Sequence, residues 1–77
     1  MYFKLDYDSY VNPFNGIMVL YNNKITRFPF SFGKLREVSI NIANTLFPDV
    51  NNNVIKIKIY NFLKTMNLSD DSYQELK

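Results

Sequence analysis

The sequence predicts a small α+β domain: an antiparallel sheet of about four strands in the order β-β-β-α-β, one main helix packed on a face, and a short C-terminal helix. Three observations lead there. Residues 2–11 alternate in polarity, two apolar runs are separated by the pair Asn22-Asn23, and residues 33–47 repeat their apolar positions with a helical period.

In the first strand, Phe3, Leu5, Tyr7 and Val11 point one way and Tyr2, Lys4, Asp6, Asp8 and Tyr10 the other. Asn12-Pro13-Phe14-Asn15-Gly16 is a turn cluster. Residues 17–21 and 24–30 are the next two strands. Asparagine tolerates the positive φ of a type I′ turn, so Asn22-Asn23 predicts a two-residue hairpin pairing Tyr21 with Lys24, Leu20 with Ile25, Val19 with Thr26, Met18 with Arg27 and Ile17 with Phe28. Both faces of that hairpin are apolar. Pro29 lacks a ladder donor and puts the strand end at an edge or bulge.

The helix over residues 33–47 has Ser31 or Gly33 as its cap and stops at Pro48. Leu35, Val38, Ile42 and Leu46 form its central stripe, facing Ile17, Val19, Phe28 and Phe30, while Ile40, Ala43 and Phe47 form an adjoining stripe. An arc this wide calls for two neighbours: the sheet, and either the C-terminal segment or another chain. Residues 48–53 read as a loop. Residues 54–60 alternate Ile55, Ile57 and Ile59 against Lys56, Lys58 and Tyr60, which favours a strand over a competing helical period through Ile55, Ile59, Phe62, Leu63 and Met66. Ser69 with Asp70 and Asp71 suits the start of a short helix over residues 70–76.

Chemistry is constrained by what is missing. The chain of 77 residues is one domain, has no His and no Cys, and carries only Gly16 and Gly33 as glycines. Imidazole bases, thiolate nucleophiles and zinc sites, disulfides and phosphate-cradling glycine loops are therefore excluded, and the expectation is a non-enzyme without cofactor or metal. The longest apolar run, residues 17–21, falls far short of the ~20 residues that span a bilayer. Residues 1–6 lack the basic start and apolar stretch of a signal peptide, so no membrane is expected and the location expected is the cytoplasm of the producing or host cell. Eleven Asn and seven Ile beside the lone Ala43 indicate AT-rich codons, as in a low-GC bacterium, its phages, or a comparable virus or parasite.

Three surfaces are candidates for function. Five of the seven acids lie near the chain ends, which makes Asp6, Asp8, Tyr10, Asp70, Asp71 and Glu75 a candidate partner-binding patch for a basic protein surface. Met18, Leu20 and Ile25 fall on the hairpin face opposite Val19 and Phe28, a candidate oligomer interface unless Phe62, Leu63 and Met66 fold back over it. Residues 24–64 hold seven basic groups against two acids, and Lys56, Lys58 and Tyr60 on one strand face are the candidate nucleic-acid surface. The competing reading of those lysines is an ordinary solvated edge. Phe28, Phe30 and Phe32 read as core, because a domain this short buries only about 60% of its unfolded surface and needs them. The leading expectation is a protein–protein interaction module, in its specific form a small phage or mobile-element protein that inhibits or redirects a larger host protein. Nucleic-acid binding and a self-assembling structural subunit are the alternatives.

Overall fold

The hairpin forms in the expected register. In a computed structural model that describes residues 1–6, 16–29, 32–66 and 72–76, Asn22 and Asn23 take φ of 53° and 61°, the left-handed values a type I′ turn requires. They join β2 (Gly16–Tyr21) to β3 (Lys24–Pro29), with Tyr21 opposite Lys24, Leu20 opposite Ile25 and Ile17 opposite Phe28. β1 (Tyr2–Asp6) pairs antiparallel with the other side of β2, Phe3 opposite Val19 and Leu5 opposite Ile17. Gly16 is required where these strands meet. Its φ is 150°, and a Cβ there would run into the Phe28 carbonyl oxygen and come within 2.8 Å of Pro29 Cα. The remainder of the expected first strand and its turn, with Phe30 and Ser31, lies outside the described residues.

After a single 3₁₀ turn (Phe32–Lys34), α1 (Leu35–Leu46) runs over the sheet. Lys34 is the residue at its N-cap and makes no side-chain capping bond, so of the two expected caps Gly33 is not used, while Ser31 lies outside the described residues. Val38, Ile42 and Ala43 are buried, and Leu35 and Leu46 pack at the margin of the core. Ser39 is also buried, its Oγ donating to the Leu35 carbonyl at 2.7 Å. The wide apolar arc does contact two neighbours, since α1 packs on the β3 side of the sheet and along a second helix.

That second helix corrects the sequence reading. Residues 54–60 are not a strand; they belong to α2 (Asn53–Thr65). In a strand the three isoleucines would be equivalent. Here Ile59 is fully buried, Ile55 is half-buried and Ile57 is 60% exposed. Isoleucine disfavours a helix by under ~0.7 kcal/mol per residue, whereas burying one large apolar side chain contributes about 1.5–3 kcal/mol. The helical period buries Ile59, Leu63 and Met66 and sets Phe62 against Phe3, ring centroids 5.2 Å apart. The longer pattern therefore outweighs local β preference.

The short C-terminal helix is likewise replaced by a strand. β4 (Gln74–Glu75) pairs antiparallel with β1, Tyr2 opposite Glu75, and Leu76 N–H donates to the Met1 carbonyl at 3.0 Å. The free edge of β1 offers unpaired backbone groups that a terminal segment satisfies. The sheet order is β3-β2-β1-β4, and the element order is β-β-β-α-α-β.

The α1–α2 connection holds a residue that sequence reasoning passed over. Asn52 is buried in the Asn51-Asn52-Asn53 run, and its Nδ2 lies 3.2 Å from the Ala43 carbonyl, 3.2 Å from the Phe47 carbonyl and 3.1 Å from Asn44 Oδ1. It donates at the C-terminal end of α1, to the Phe47 carbonyl and to the Ala43 carbonyl that also accepts the Phe47 N–H at 2.9 Å. The run is thus a clamp between the helices as well as a loop.

Candidate functional site

Strand alternation divides the sheet into two faces. Phe3, Leu5, Ile17, Val19 and Phe28 face both helices and make the core. The alternative in which Phe62, Leu63 and Met66 fold back over the second face does not occur: Leu63 and Met66 are buried within that same core, with Phe62 against it. Both helices stand on one side, and Tyr2, Lys4, Asp6, Met18, Leu20, Ile25 and Arg27 lie on the other, with Ile25 and Arg27 at the β3 edge bordering a pocket shared with Thr45 and Leu46 of α1.

Register orders this open face into rows. Glu75, Tyr2, Leu20 and Ile25 lie side by side across all four strands. Tyr2 is 41% and Ile25 52% exposed, with Leu20 half-buried between them. The next row holds Lys4, Met18 and Arg27. Lys4 Nζ lies 5.8 Å from the centre of the Tyr73 ring, a cation–π contact. The Tyr73 hydroxyl is buried and has no hydrogen-bond partner among the described residues. Asp6 reaches Arg27 Nε at 3.9 Å. The Arg27 side chain is 69% exposed, so this pair contributes under ~1 kcal/mol.

The expected oligomer residues Met18, Leu20 and Ile25 therefore share the sheet face turned away from the helices, with Ile25 exposed and Met18 and Leu20 half-buried. The acidic patch assembles differently. Asp6 and Glu75 share the open face, but Glu75 sits beside Tyr2 while Asp6 is four residues along the strand, about 13 Å away. Lys4 stands between them. Asp8, Tyr10, Asp70 and Asp71 lie outside the described residues. Sequence reasoning missed Lys4, Arg27 and Tyr73 as members of this surface, although the alternation and the hairpin register already place Lys4 and Arg27 there.

The lysine surface is split. On α2, Lys56 and Tyr60 are four residues apart and share a side, whereas Lys58 is rotated to the far side, beside Asn61, Phe62 and Leu76. The expected grouping of Lys56, Lys58 and Tyr60 assumed a strand and is corrected to Lys56 and Tyr60. Two further cations of the basic stretch over residues 24–64 join them. Arg36 Cζ lies 5.5 Å and Lys64 Nζ 4.7 Å from the centre of the Tyr60 ring. The spacing 56, 60, 64 would have revealed Lys64 had the segment been read as helical.

Among the described residues, no three acidic groups converge as a metal cluster would require, and no helix is long and apolar enough to cross a membrane. No protein-family model matches the chain, and no curated protein or solved structure matches it.

Proposed function

We propose that this chain is a non-enzymatic interaction module that docks a protein partner on the open face of its sheet, working in the cytoplasm of its producing or host cell. The observation that carries the reading is the row Tyr2, Leu20 and Ile25: an apolar strip on the face opposite both helices, flanked by Lys4, Asp6, Arg27 and Glu75. Apolar surface rimmed by charge is the anatomy of an interface, because the strip supplies burial and the charges set orientation. The absence of His and Cys from the sequence supports a role without chemistry, as do the ion pairs Asp6–Arg27 and Lys34–Glu37, which engage two of the carboxylates.

Two occupants suit the strip. One is a larger host protein that the module blocks or redirects; AT-rich codon usage favours a phage or mobile-element origin for this version. The other is a second copy, paired through a twofold axis, which is the commonest closure for soluble oligomers. Sedimentation equilibrium on the wild type, Leu20→Glu and Ile25→Glu tests the second. The expected result is a dimer that both substitutions dissociate. Ile25 is half exposed, so the Ile25→Glu monomer is expected to keep the fold, checked by an unchanged circular dichroism spectrum. A wild type monomeric at all concentrations would exclude the second copy.

A further inference from the structure

The helical layer, on the opposite side of the molecule, carries a separate site. Between α1 and α2 runs a groove of about 200 Å³ lined by Arg36, Ser39, Ile40, Lys56, Ile57 and Tyr60. We propose that this groove binds single-stranded nucleic acid, with phosphates held by Arg36, Lys56 and Lys64 and bases laid on the exposed faces of Ile40 and Ile57.

Charge is the first argument. Lys56, Tyr60 and Lys64 recur every four residues along one side of α2, spanning about 12 Å of helix axis. Arg36 reaches the same ring from α1. Three cations around one groove repel one another in the free protein. The electron-rich face of Tyr60 offsets part of that cost by taking Arg36 and Lys64 in cation–π contact. Among the described residues, no carboxylate lines the groove. α2 contains no acid at all, and Glu37, the one acid of α1, lies on that helix's other side, ion-paired to Lys34 at 3.6 Å. Among the described residues these gathered cations have no carboxylate partner, and together they complement a polyanion.

Its walls narrow the ligand. Ile57 is 60% and Ile40 40% exposed, so the groove presents aliphatic surface beside Arg36 and Lys56. A nucleotide presents that combination, an anionic phosphate next to an apolar ring face. In a duplex the base faces are stacked on one another and cannot reach Ile40 or Ile57; in a single strand they are free. A peptide of acidic residues alone, such as polyglutamate, would supply the charge and leave the isoleucines uncovered.

Fluorescence anisotropy with a labelled oligothymidylate tests this from 50 to 200 mM salt. The wild type is expected to bind with a dissociation constant below about 100 μM at the lowest salt and to weaken steeply as salt rises. Arg36→Gln/Lys56→Gln/Lys64→Gln should bind at least tenfold more weakly and lower the slope of log K against log salt by roughly 2, since each single-strand phosphate contact contributes about 0.7. Lys58→Gln, on the far side of α2, should change binding less than twofold. All three cations lie on the surface, and an unchanged circular dichroism spectrum verifies the fold. No binding at 50 mM salt, an equal loss in Lys58→Gln, or tighter binding of a duplex or of polyglutamate would each overturn the proposal.

Discussion

Ile42→Ala is expected to cost about 2–5 kcal/mol, close to the whole stability of a domain this size. Ile42 sits at the centre of α1, is fully buried, and belongs to the cluster that holds Ile17, Val19 and Phe28 of the sheet and Ile59 and Leu63 of α2. Truncation removes buried methyl groups where the sheet and both helices meet, so no single element can close the gap. No disulfide or metal ligand set made of Cys or His is present to compensate. Thermal unfolding followed by circular dichroism checks it: much of the population should be unfolded at physiological temperature. An unchanged melting temperature would contradict the packing of α1 on the sheet.

Ile59→Ala and Ile57→Ala are expected to diverge sharply although the residues are two positions apart. Ile59 is fully buried and Ile57 is 60% exposed. The first change should cost about 2–5 kcal/mol and the second under about 0.5 kcal/mol, measured by denaturant midpoint. A strand would put both side chains on the same face and give similar losses. The comparison therefore tests the helical assignment of residues 53–65 independently of any spectroscopic estimate of helix content.

What could be read in the sequence follows the range of the interactions. The hairpin was legible because its register is set within six residues by Asn22-Asn23, and the turn geometry needs no help from the rest of the chain. α1 was legible because one stripe of Leu35, Val38, Ile42 and Leu46 dominates any alternative period. Residues 54–60 misled because two patterns overlap there. Alternating isoleucines speak for a strand over seven residues, and Ile55, Ile59, Phe62, Leu63 and Met66 speak for a helix over twelve. Burial against Phe3 and Ile42 decided it, and that contact is not visible locally. β4 was not legible at all, since Gln74 and Glu75 have little strand preference of their own and pair only because β1 leaves an edge. The candidate surfaces inherited these outcomes. Met18, Leu20 and Ile25 depended on the hairpin and came together; Lys56, Lys58 and Tyr60 depended on the strand and separated.

That the open face of the sheet is where a protein partner docks is tested most directly by photo-crosslinking. A photoreactive residue placed at Ile25, and separately at Ile57 on the helical layer, would be irradiated in cells that make the protein, and covalent protein adducts resolved by mass. The prediction is a discrete protein adduct through position 25, either with a second copy or with one larger protein, and none through position 57. Protein adducts through position 57 alone, or through neither position, would contradict the assignment of the sheet face as the docking surface.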